Sequence, residues 1–165
     1  MKWDELFMRH VYLIAMKSKD TSTKIGAVLV RDNEVFSEGY NGIPRGVSDE
    51  VSDRFERPEK YFWVEHAERN AIYNCARGCR STFCSILYTQ ACPCADCARG
   101  VVNAGISEVV LHSQYVDLWN GIDNDKWLQS SIRSMEMFRE SGVRVRYFNG
   151  ILGINLLMNG IIVSV

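Results

Sequence analysis

The chain has 165 residues, 47% hydrophobic and 24% charged, and a formal net charge of −1, the composition of one soluble globular domain large enough to bury a core. Near-neutral charge argues against a nucleic-acid or anionic-membrane partner. Acidic and basic residues break the apolar N-terminal stretch, so no signal peptide is expected, and the six cysteines are expected to be reduced thiols of a cytoplasmic protein.

Leu6, Val11, Leu13, Ile14 and Met16 recur at helical spacing and predict a first helix over Asp4 to Ser18. Ile25 to Val30 is a β-branched run that reads as a strand. Asp32-Asn33 is a hairpin turn into a second strand, Glu34 to Tyr40. Gly42 to Lys60, with Pro44, Pro58 and mixed charges, reads as a loop. A helical pattern follows over Glu65 to Ala76, then a strand over Ser85 to Thr89, a helix over Cys94 to Ala104 ending at Gly105, and a strand over Glu108 to Leu111. Lys126 to Ser141 is a strong helix stopped by Gly142, and Val143 to Phe148 reads as the next strand. Asn149-Gly150 and Asn159-Gly160 are both hairpin signals. Ile151 to Val165 is apolar but too short and interrupted for a membrane span. This order predicts an α/β fold, a three-layer α/β/α sandwich on a mixed five-stranded sheet. A single domain over 1–165 is expected, with 149–165 as an extra hairpin or interface tail.

Chemistry concentrates in His66-Ala67-Glu68 and Pro93-Cys94-Ala95-Asp96-Cys97. Cys94 and Cys97, three apart, share one face of a first helical turn, where the helix dipole favours thiolates. Pro93 suits the entry to that helix. His66 opens another helix, so two helix N-termini can converge on one metal. One imidazole and two thiols leave the fourth position of a tetrahedral zinc open, which distinguishes a catalytic zinc from a structural one. Glu68, beside His66 but not needed as a ligand, is placed to shuttle protons. The whole matches the H-x-E…P-C-x-x-C signature of zinc-dependent nucleobase deaminases. A CxxC alone more often marks a structural zinc or a redox pair, and Cys92 offers a fourth ligand for a closed site, but that reading leaves Glu68 without a use. His10 and His112 read as surface or packing residues. Cys75, Cys79 and Cys84 read as small core hydrophobes rather than a second metal site.

Five segments, KIGAVLV, GYNGIPRGVSDE, KYFWVEHAERNAIY, PCADCARGVVNAGISEVV and FRESGVRV, resemble the deoxycytidylate (dCMP) deaminases of the cytidine deaminase superfamily. The resemblance implies a cytidine deaminase-like fold and hydrolytic conversion of dCMP to dUMP with release of ammonia. It implies Zn2+ on His66, Cys94 and Cys97 with Glu68 as acid and base. It places Asn41 at the sugar, the backbone of Ala67 at the base and Tyr115 near the nucleotide. It implies a homo-oligomer, hexamer or dimer, and dCTP and dTTP as effectors at a site including Gly39, Tyr40, Asn41 and Gly42. The glycine-proline loop can offer backbone N–H groups to a phosphate, with Lys24 and Arg45 adding charge. Two other readings stand beside this one. The first is a deaminase of another base or nucleotide, such as a modified dCMP, dCTP, guanine or tRNA adenosine. The second is a non-catalytic zinc-stabilised nucleotide-binding protein, against which Glu68 speaks. The chain departs from the family pattern at Thr89-Gln90-Ala91-Cys92 and in its tail. Leu156, Leu157, Met158, Ile161, Ile162 and Val163 are expected to form a hairpin against the sheet edge or a neighbouring subunit, or else to complete the monomer core.

Overall fold

Strands β1 (Gly26–Arg31) and β2 (Glu34–Tyr40) are joined through Asp32 and Asn33, at φ 54° and 61°, the left-handed pair that a tight two-residue hairpin requires. In this computed structural model, which describes residues 1–121 and 125–165, β3 (Ile86–Thr89) lies antiparallel on the other side of β1. Then β4 (Glu108–His112) and β5 (Arg144–Phe148) continue in parallel, giving the order β2-β1-β3-β4-β5. The helices are α1 (Trp3–Ala15), α2 (Lys60–Trp63), α3 (Ala67–Arg77), α4 (Ala95–Asn103), α5 (Ser113–Asn120) and α6 (Asp125–Ser141).

Side chains alternate across each strand with a period of two, and the alternation sorts the core into two halves. Ala27, Leu29, Leu87, Val109 and Leu111 face Ala67 and Ala71 of α3, Ala98 and Val101 of α4, and Phe138 of α6. Val28, Val30, Tyr88 and Val110 face Phe7, Met8, Val11 and Tyr12 of α1 and Tyr115 of α5. The mixed five-stranded sheet between two helical layers is the three-layer α/β/α sandwich expected from the sequence. Small residues bring α3 close to the sheet. A Cβ on Gly39 of β2 would stand 2.4 Å from the Ala67 carbonyl oxygen and 2.4 Å from the Ala71 nitrogen.

Three local expectations change. The stretch read as a loop holds a short 3-10 turn, Ser52–Phe55, and the single-turn α2. Helix α5 follows β4 directly, in a stretch where the sequence pattern predicts no element. Asn149-Gly150 does not turn a hairpin. Instead Gly150 O accepts the His112 Nε2–H at 2.8 Å and Asn149 Oδ1 accepts the Ser113 hydroxyl at 3.3 Å, so the dipeptide ties the exit of β5 to the β4–α5 junction.

The tail does form a hairpin, β6 (Asn155–Met158) and β7 (Ile161–Ser164), through Asn159 and Gly160 at φ 48° and 82°. It is a separate two-stranded sheet, joined to the entry of β1 by Lys24 N–H donating to Leu157 O at 3.0 Å. Leu152, Leu156, Met158 and Val165 enter the α1-side core, so these residues complete the core. Ile161 and Ile162 remain 58% and 68% exposed. No helix among the described residues is long and apolar enough to cross a membrane.

Candidate metal centre and catalytic cavity

His66 is the N-cap of α3 and Cys94 the N-cap of α4, both with extended backbone and neither bonding its own helix through its side chain. Their side chains are thus free to turn toward each other. Cys97 lies one turn into α4 and joins them: Cys94 Sγ is 3.4 Å and Cys97 Sγ 3.5 Å from His66 Nδ1. Among the described residues this is the one His/Cys/acid group able to hold a metal ion, its three donor atoms lying within 4.8 Å of one another. The spacing fits zinc. Bonds of about 2.3 Å to sulfur and about 2.0 Å to nitrogen at a tetrahedral angle put S and N roughly 3.5 Å apart. The first turn of α4 is fixed from outside, because Ala95 N–H donates to Ser130 Oγ of α6 at 2.8 Å.

The sulfurs behave as a pair. Cys94 is held down to about 4, first by the hydrogen bond from Cys97 and then by His66. Cys97, the donor of that bond, is pushed up. Metal binding must expel the proton they keep. Glu68, at the second position of α3 and 6% exposed, places Oε2 3.6 Å from Cys97 Sγ. Burial pushes its carboxyl up, which suits a group that must carry a proton. Burial also pushes the Cys92 thiol up to about 12. Its sulfur faces Pro93 O at 3.6 Å and Ser131 O at 3.9 Å, so it stands outside the donor group and offers no fourth ligand.

The group opens into a cavity of about 450 Å³ that His66, Ala67, Glu68, Cys94, Asn41, Trp119 and Trp127 help to line, a size suited to a small ligand. Trp127 stands 6.0 Å from the His66 ring and 6.3 Å from Trp119, centroid to centroid. Asn41 is held firmly: Oδ1 accepts Ile25 N–H at 2.8 Å, and Nδ2 donates to Thr23 O at 2.8 Å and Asp20 Oδ2 at 3.3 Å.

Other sequence candidates lie elsewhere. Tyr115 is wholly buried in the α1-side core, stacked behind Trp119 at 6.1 Å, so its side chain does not reach the cavity. Lys24 Nζ donates to Ser18 O, and Arg45 donates to Asn74 Oδ1 at 3.0 Å; neither lines the cavity. Both cations are engaged by neighbouring acceptors. Gly39, Tyr40 and Gly42 brace α3 from outside the cavity: Tyr40 O accepts Asn70 Nδ2–H at 2.8 Å, and Gly42 N–H donates to Glu65 O at 3.0 Å. Trp119, Trp127, Ser130, Arg57 and Lys60 are among the cavity residues missed from sequence. Two tryptophans eight positions apart were the available signal.

Comparison with known proteins agrees with this geometry. The family described as "Cytidine and deoxycytidylate deaminase zinc-binding region" matches residues 1–113. An uncharacterized deaminase from Aliivibrio fischeri is 37% identical over 146 residues, covering 88% of this chain and 93% of that protein. The Homo sapiens deoxycytidylate deaminase is 37% identical over 123 residues, covering 68% of this chain and 66% of the human protein. The crystal structure of dCMP deaminase from the cyanophage S-TIM5, in complex with dCMP and dUMP, superposes with a TM-score of 0.65 at 25% identity, covering 90% of this chain and 99% of that one. With its imidazole and paired thiols converging beside a buried glutamate, the chain belongs to the zinc-binding cytidine and deoxycytidylate deaminase family.

Proposed function

We propose that this chain is a zinc-dependent deoxycytidylate deaminase, which hydrolyses dCMP to dUMP and ammonia. The observation that carries the reading is the convergence of His66, Cys94 and Cys97 with the buried Glu68 at the wall of one cavity. The human relative is a deoxycytidylate deaminase and the phage neighbour holds dCMP and dUMP, which supports dCMP as the substrate.

Zinc, when bound, supplies the hydrolytic chemistry by making water a nucleophile near neutral pH. His66 Nδ1, Cys94 Sγ and Cys97 Sγ hold it. Glu68 takes one proton from the attacking water at its carboxylate and delivers it to the pyrimidine ring nitrogen, then takes the water's second proton from the new C4 hydroxyl and gives it to the departing amine, so that the C4 carbonyl forms as ammonia leaves. The backbone of Ala67 meets the base, and Trp119 and Trp127 wall the ring off from water. Asn41 meets the sugar. Both its N–H groups are spent on Thr23 and Asp20, so it offers a hydroxyl only the remaining lone pair of Oδ1.

The reading extends to a single cytoplasmic domain over 1–165, working as a homo-oligomer and responding to dCTP and dTTP near Gly39, Tyr40, Asn41 and Gly42. Exposed Ile161 and Ile162 on the tail support association. Ammonia release measured across dCMP, dCTP, deoxycytidine, cytidine, CMP, guanine and adenosine tests the substrate assignment. dCMP is expected to give the highest kcat/KM, and a higher value for any other compound overturns it.

A further inference from the structure

Among the described residues three cations line the catalytic cavity: Arg57, Lys60 and Arg69. Two of them are already neutralised. Lys60 Nζ lies 2.8 Å from Asp20 Oδ2, and both side chains are largely buried. Arg69 Nε donates to Glu65 Oε1 at 2.7 Å. Arg57 makes no ion pair or side-chain hydrogen bond to another described residue. It lines the cavity yet is exposed to solvent, on the turn that Lys60 N–H closes onto Glu56 O at 2.8 Å.

Asn41, Asp20 and Lys60 form one contiguous stretch of the cavity wall, and Arg57 lines the same cavity. Asp20 Oδ2 accepts from Asn41 Nδ2 at 3.3 Å and sits against Lys60, and Arg57 is three residues before Lys60. A nucleotide whose base lies at the His66 end and whose sugar meets Asn41 therefore directs its 5′ end along this wall toward Arg57. A guanidinium without an ion-pair partner among the described residues offers two parallel N–H donors that match phosphate oxygens.

We infer that Arg57 receives the 5′-phosphate of the substrate, and that its guanidinium selects a nucleoside monophosphate over the free nucleoside. This rests on the deaminase reading for the orientation of the base. Lys60 contributes no net charge, because Asp20 cancels it, and its role is to hold the wall.

The test uses the zinc-loaded full chain and the product pair dUMP and deoxyuridine, with dissociation constants from calorimetry, so that it does not depend on turnover. The wild type should bind dUMP more tightly than deoxyuridine by about 10- to 100-fold. Arg57→Ala should remove most of that preference while leaving deoxyuridine affinity and zinc content unchanged. Arg57→Lys should recover part of it, as a point charge without the planar fork. A wild type without preference for dUMP, or an Arg57→Ala variant that keeps the preference or loses both ligands equally, overturns the inference. Intact dUMP preference without ammonia release from dCMP would instead overturn the proposed reaction and leave the Arg57 assignment standing.

Discussion

Gly39 of β2 lies against Ala67 of α3 so closely that a Cβ at position 39 would stand 2.4 Å from the Ala67 carbonyl oxygen. Ala67 is the residue between the metal-ligating His66 and Glu68, so the glycine sets the distance between sheet and site. Gly39→Ala forces α3 outward and, as an overpacked core position, should cost about 1–3 kcal/mol. Thermal unfolding and zinc content measured together check this. Both should fall, and unchanged zinc at wild-type stability would show that the contact is dispensable.

Glu68→Gln keeps the shape of the side chain but cannot carry a proton. Turnover should drop by about 10²–10⁴-fold or more, the usual worth of general acid–base catalysis, while zinc content stays at the wild-type value. Loss of zinc in this variant would make Glu68 a ligand.

The three thiols near the centre should separate cleanly. Cys92 points at the Pro93 and Ser131 carbonyls, and Cys92→Ser should retain metal and most activity. Cys94→Ser and Cys97→Ser should lose both. Elemental analysis of the three variants decides it, and equal loss from all three would mean a closed four-ligand site.

His112 is wholly buried at the end of β4. Tyr12 OH donates to its Nδ1 at 2.7 Å while its Nε2–H donates to Gly150 O at 2.8 Å, which fixes the neutral tautomer and joins α1, the sheet and the tail. Burial lowers its pKa below the ordinary 6.5. The unfolded chain therefore binds the proton more readily than the folded one, and stability must fall as pH falls. The contribution is fully present above pH 6.5 and is lost progressively below it. Denaturant unfolding at a series of pH values should show this loss, and His112→Gln should show a shallower acid slope. An equal slope in both proteins would assign the acid sensitivity to other groups.

Much of the fold was legible because each signal was local. Asp32-Asn33, Gly105, Gly142 and Asn159-Gly160 all adopt the left-handed backbone that their residue types favour. The metal donors were legible because their spacing, His66 at one helix start and Cys94 with Cys97 at another, is itself local. What was hidden depends on distant parts of the chain. Asn149-Gly150 carries the same hairpin signal as Asn159-Gly160, but side chains on the β4–α5 junction capture its polar groups. Lys24 and Arg45 were visible as charges, yet which acceptors they meet is a tertiary fact. Trp119, Trp127 and Ser130 reach the site from α5 and α6, helices that carry no part of the motif, and the stacking of Tyr115 on Trp119 within the α1-side core is equally a tertiary fact.

The most direct test of zinc-dependent dCMP deamination is dUMP formation from dCMP by one preparation, followed before zinc removal, after dialysis against a chelator, and after zinc is restored. Activity should be present with about one zinc per chain, vanish with the metal and return on adding it back. Activity that survives complete loss of zinc would contradict the assignment of His66, Cys94 and Cys97 as the catalytic metal centre.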